Sequence, residues 1–231
     1  MVFVPSGTFT MGSDGGNANE QPMHTIALSA YWIDRNAVTV DAYADCLNAG
    51  ACTVPDGSLG GCNWGVADRG DHPINCVDWS QALAYCSWAG KRLPTEAEWE
   101  KAARGPDAWT YPWGEEVPTC DYAVMNDPNA GGVGCGSGSS WPVGSKRSGM
   151  SPYGALDMAG NIFQWVNDWY SSTYYSVSPS TDPLGPSTGS FKIQRGGGWG
   201  TSSAGLRSAY RFTFVPAGWF DLAGFRCARD G

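Results

Sequence analysis

The C-terminal stretch Arg195–Cys227 reads RGGGWGTSSAGLRSAYRFTFVPAGWFDLAGFRC. Arg195, Arg207, Arg211 and Arg226 alternate here with glycines, hydroxylated residues and aromatic residues. The residues between the arginines include Thr201, Ser202, Ser203, Tyr210, Phe212, Thr213, Phe214, Ala217, Trp219, Phe220 and Leu222, none of them charged. An exposed cluster of Tyr, Phe and Trp marks a binding surface. Tyr, Ser and Gly are also the residues with which antibody loops combine rigid anchors and adaptable contacts. The competing reading places Phe212, Phe214 and Phe220 in the core. The arginines read as braces for these loops, through carboxylate and carbonyl contacts. No cysteine falls between Gly200 and Leu206.

Outward from that stretch, the 231 residues suffice for one large domain with a core of its own, and 42% of them are hydrophobic. The 32 Gly, 15 Pro and 12 Trp, with only 16% charged residues, indicate much irregular backbone tied by aromatic packing. Disordered chains lack such aromatic content. The net charge of −8 disfavours phosphate backbones and anionic membranes as partners. No apolar run approaches a bilayer span.

Eight cysteines without a CxxC, and only two histidines, suit disulfides better than a zinc cluster. Disulfides imply an extracytoplasmic location: secreted, periplasmic or at the cell surface. No signal peptide is visible; any export signal or preceding domain is expected to lie before Met1.

Local signals place the elements. Val2–Gly12 reads as a hairpin around Pro5-Ser6-Gly7, and His24–Ile33 as a further strand. Thr39 caps a helix running to about Leu47. Asp78 caps a second over Trp79–Trp88. Thr95 and Glu98 form a capping box for a third, Glu96–Arg104, ended by Gly105. Glu96, Glu98 and Glu100 suit the dipole at that helix's start. Residues 106–231 read as loops and short strands.

Blocks in order along nearly the whole chain carry a family resemblance: MVFVPSGTFTMGS (Met1–Ser13), HPINCVDW (His72–Trp79), AYCSWAGKRLPTEAEWEKAAR (Ala84–Arg104), NIFQWVNDWY (Asn161–Tyr170) and the C-terminal stretch. The chain resembles the formylglycine-generating-enzyme, or sulfatase-modifying-factor, family. The resemblance implies an α+β class and a single domain over residues 1–231. It implies the C-type lectin-like fold of that family, with two to three helices, small antiparallel sheets and many irregular loops. It also implies a Cys86–Cys227 disulfide. A second family bridge is missing, because Ala103 stands at its first cysteine. The other six cysteines pair most simply by proximity, as Cys46–Cys52, Cys62–Cys76 and Cys120–Cys135. The last falls where the family places one calcium, and is expected to replace it.

A second calcium site maps to the Asp157 and Gln164 side chains with the Gly160 and Ile162 carbonyls. Gln164 stands for a usual glutamate there. The same residues could instead hydrogen-bond a tight loop.

The family's oxidase chemistry uses a cysteine pair that binds copper between the RGG turn and the following arginines. That pair is absent, so no copper and no formylglycine generation are expected. Some relatives build a three-histidine iron site, which His24 and His72 cannot supply.

The alternation of fixed arginines and glycines with unusual aromatics resembles the variable proteins of diversity-generating retroelements, many of which use this domain. Variation of asparagine codons in the template excludes Trp, Met, Lys, Glu and Gln, and of the eleven surface positions above only Trp219 breaks that rule. The expectation is a non-catalytic binder of a protein or glycan ligand. The alternative is an enzyme or accessory domain of the same superfamily with other chemistry.

Overall fold

A computed structural model describes residues 1–231. Three helices form where the caps fall. Thr39 Oγ1 accepts from Ala42 N ahead of α1 (Val40–Asn48). Reciprocal capping boxes start α2 (Trp79–Trp88), through Asp78 and Gln81, and α3 (Glu96–Arg104), through Thr95 and Glu98. Each box satisfies two of the N–H groups that a helix start leaves without partners.

The N-terminal segment departs from the expected hairpin. Strands β1 (Val2–Val4) and β2 (Gly7–Met11) run on in one direction, and do not pair with each other. Their partners are β4 (Tyr31–Ile33) and β3 (His24–Leu28), respectively. The register is continuous across both pairs: Val2 faces Ile33, Val4 faces Tyr31, Gly7 faces Leu28 and Met11 faces His24. The ladder is broken at Pro5, which has no N–H to donate. There the buried Lys101 Nζ donates to the carbonyls of Pro5 (2.8 Å) and Gly7 (2.9 Å). The stretch expected as one strand, 24–33, is accordingly two.

The second half supplies a four-stranded sheet from β5 (Phe163–Trp169), β6 (Lys192–Arg195), β7 (Phe212–Phe214) and β8 (Ala223–Phe225). Its order is β7-β6-β5-β8, and β5 and β8 are parallel, so the sheet is mixed. The final strand, β9 (Ala228–Asp230), closes against β4.

Alternation along the strands splits the core into two layers. Val166 and Ile193 face α3, where Trp99, Ala102 and Ala103 pack with Phe9, Met11 and Ile26. Trp165 and Phe225 face α1 and α2, against Tyr43, Ala82, Tyr85 and Cys86. The position of the missing bridge, Ala103, is thus filled by core packing. All eight cysteines are paired as expected: Cys46–Cys52, Cys62–Cys76, Cys86–Cys227 and Cys120–Cys135. No helix is long and apolar enough to cross a membrane.

Candidate ligand-binding surface

Of the arginines in the C-terminal stretch, Arg195, Arg211 and Arg226 are buried braces and Arg207 is a half-buried one. On α3, residues four apart share a face, which brings Glu96 and Glu100 together. Arg211 grips Glu96 through Nε–Oε1 (2.7 Å) and Nη2–Oε2 (2.9 Å). Arg195 pairs with Glu100 and donates to the carbonyls of Ser208, Ala209 and Tyr210. Arg104 reaches the same Glu100 at 2.9 Å. Arg207 holds the buried Glu20 at 2.7 Å. The α3 glutamates therefore do more than suit a helix dipole: two are counter-ions of the C-terminal arginines, and Glu98 pairs with Arg92 at 2.7 Å. Sequence spacing showed the shared face, but the partners lie about a hundred residues away.

Behind this network sits Asp168, which accepts from Glu96 N at 2.8 Å. Burial, and then the Glu96 carboxylate, push its carboxyl up to about 8. It lines no cavity. A cavity of about 390 Å³ lies elsewhere, bordered by Leu28, Arg92, Glu98, Asn167 and Asp182. No residue read as ligand-binding borders it.

The expected calcium set is the Asp157 and Gln164 side chains with the Gly160 and Ile162 carbonyls. Gln164 Oε1 accepts from Trp99 Nε1 (2.7 Å) and Arg226 Nε (2.6 Å), while Gln164 Nε2 donates to the Asp157 carbonyl (2.6 Å). Two donors occupy both lone pairs of that oxygen. Asp157 Oδ2 accepts from Gly144 N (2.7 Å), and the Gly160 carbonyl from Ile162 N (2.9 Å). The Arg226 guanidinium also donates to the carbonyls of Asp34, Arg35, Leu156 and Asp157. Burial pulls it down to about 10, against the pull of Asp157 and Asp34. Trp99 and Arg226 thus already take the Gln164 oxygen that the expected calcium site assigned to the ion.

The eleven positions expected to bind ligand lie at the surface, while Leu206, Ser208, Ala209, Ala223 and Phe225 between the same arginines are buried. Ser202 and Ala217 are exposed; Thr201, Ser203, Tyr210, Phe212, Thr213, Phe214, Trp219, Phe220 and Leu222 are half-buried. Phe212, Phe214 and Phe220 are thus neither core nor free, and they pack on a ring the sequence reading missed. Phe163 of β5 lies 4.9 Å from Phe212 and 6.2 Å from Phe220, centroid to centroid. Phe214 lies 5.0 Å from Phe220 and 6.5 Å from Trp165. The signal available for Phe163 was its place two residues before Trp165, on one strand face.

The band continues from the rings to the RGG turn. Leu222 covers Gly198, where an added Cβ would come within 2.7 Å of it, and packs against Gly200. Trp199 Nε1 donates to the Asp221 carbonyl. Thr201 Oγ1 accepts from Gly198 N at 2.9 Å, and Thr201 packs on Gly205, beside Tyr210. The Cys120–Cys135 loop braces this turn from below: Asn126 N donates to Thr201 O, and Gly134 N to Trp199 O. Rigid loops carrying half-exposed aromatics can recognise a ligand at low entropic cost.

Such a fold, with braced C-terminal loops over a mixed sheet, is that of a C-type lectin-like domain of the formylglycine-generating-enzyme type. The chain belongs to the family described as the sulfatase-modifying factor enzyme 1-like domain, whose model matches residues 1–231. It is 35% identical over 280 residues to the formylglycine-generating enzyme of Streptomyces coelicolor, covering 99% of this chain and 88% of that protein. Among solved structures, PvdO from Pseudomonas aeruginosa superposes with a TM-score of 0.84 at 27% identity, over 99% of this chain and 93% of that one. Treponema denticola variable protein 1 shares the fold at a TM-score of 0.80 and 23% identity, over 100% and 95% of the two chains.

Proposed function

We propose that this chain is a non-catalytic binding domain, that its Thr201–Leu222 surface recognises a protein or glycan ligand, and that a retroelement diversifies the codons for that surface. The carrying observation is the division of roles within Arg195–Cys227. Arg195, Arg211 and Arg226 are buried and bonded to carboxylates and carbonyls. The eleven positions Thr201–Ser203, Tyr210, Phe212–Phe214, Ala217, Trp219, Phe220 and Leu222 are exposed or half-exposed, and among these eleven Thr201 is the one whose side chain hydrogen-bonds within the chain. Positions that the scaffold does not use can change at small cost to stability. The similar Treponema fold is named a variable protein, the property proposed here. The thiolate pair needed for copper chemistry has no counterpart at Thr201–Leu206, and every cysteine is in a disulfide. Four disulfides accord with an oxidising, extracytoplasmic compartment.

Sequencing the locus tests this. A near-copy of the Arg195–Arg226 coding region that differs at adenines, beside a reverse-transcriptase gene, is the expected finding. A locus with neither would remove diversification and move an accessory or enzymatic role forward.

A further inference from the structure

Under the half-exposed rings lies a polar group with no partner. Along β6, Ile193 and Arg195 face α3, so Lys192 and Gln194 face the other side. Gln194 is in register with Trp165 on β5 and Phe212 on β7. Register and alternation therefore place Gln194 on the sheet face that carries Phe163, Trp165, Phe212 and Phe214, on which Phe220 packs. Gln194 is fully buried, and neither Oε1 nor Nε2 has a hydrogen-bond partner. Buried amides are nearly always paired, and the rare orphan calls for an explanation. Phe220 covers this ring cluster from the loop after β7, where Gly218 N donates only to Val215 O and Phe220 O accepts from Ala223 N. The loop's backbone is tied to the body on either side, by Trp79 N to Pro216 O and Phe163 N to Leu222 O, whereas the Phe220 ring itself is held by aromatic packing.

We propose that Gln194 is the specificity-determining residue of this surface, and that it receives a primary carboxamide, an Asn or Gln side chain of a partner protein, when Phe220 swings aside. This rests on the binding-surface reading above and names its ligand chemistry. A carboxamide presents an acceptor and a donor on one edge, so its complement must present a donor and an acceptor on one edge. A primary carboxamide does so. A carboxylate lacks the donor and an ammonium lacks the acceptor. A trans peptide, like the acetamido group of a sugar, has the two on opposite edges. The flat amide would slide between aromatic faces, and the chemistry favours a protein side chain over a glycan.

The test uses the intact chain labelled with ¹⁵N and three probes at millimolar concentration: phenylacetamide, N-methylphenylacetamide and phenylacetate. Phenylacetamide should bind about tenfold more tightly than the other two, since a site built to hydrogen-bond rejects analogues that leave it unpaired. It should move both side-chain N–H signals of Gln194. In Gln194→Met, which keeps an unbranched side chain of similar length, the three probes should bind alike. Equal binding of all three to the wild type, with the Gln194 signals unmoved, overturns the amide proposal and leaves the aromatic surface standing. Binding of none of the probes overturns both.

Discussion

Replacing Arg195 by Met should destabilise the chain severely. Arg195 is fully buried, and its guanidinium serves Glu100 and three consecutive carbonyls, Ser208, Ala209 and Tyr210. Methionine fills the volume but leaves Glu100 Oε2 without its counter-ion. Oε1 keeps Gly12 N (2.7 Å) and Arg104 (2.9 Å). Removing one partner of a buried pair costs about 3–5 kcal/mol. The freed carbonyls add to this, though not independently, because one side chain holds all three. In a chain of this size each kcal/mol moves the melting temperature by about 2–4 °C, so a fall of about 6–20 °C is expected. Thermal unfolding followed by circular dichroism measures it. The double variant Arg195→Met, Glu100→Met should fall short of the sum of the two singles by about 0.5–3 kcal/mol. Strict additivity, or a single variant that melts within about 2 °C of the wild type, would refute the account of α3 as the anchor of the C-terminal loops.

Other expectations follow from the same interior. Asp168 holds its proton up to about 8 when folded, against an ordinary 3.8. Its contribution therefore favours the folded chain at low pH and is lost as pH rises through that window. Asp168→Asn should raise the melting temperature most above pH 8 and not at all near pH 4; a gain independent of pH would count against it. Removing the Cys86–Cys227 disulfide with paired alanines should cost about 2–5 kcal/mol, read from chemical denaturation, since it ties α2 to the strand that closes the N-terminal sheet. Because Arg226 already fills the acceptor set around Gln164, calcium and a chelator should leave the melting temperature the same within about 1 °C. A clear rise with calcium, in the linkage sense, would show a site that this arrangement does not explain.

Much of this protein could be read along the chain. Caps at Thr39, Asp78 and Thr95 act through hydrogen bonds spanning three residues, so the helix starts are a property of the local sequence. Three disulfides close short loops between neighbouring cysteines, and the fourth follows from the family resemblance. The alternation of arginines with uncharged aromatics separates the buried braces from the surface positions along the chain. Tertiary structure alone decided the rest. Val2–Met11 pairs with 24–33 instead of folding on itself, because a ladder partner is chosen by register across distant segments. The α3 glutamates find arginines a hundred residues on, since charges in a dry interior must be paired wherever the counter-ion lies in sequence. Gln164 gives its oxygen to Trp99 and Arg226, and Phe163 and Gln194 join the Phe212–Phe220 cluster, only because β5, β6 and β7 lie side by side. Local patterns carry the elements; which faces meet is a contest among non-local contacts, and it is settled only when the whole core packs.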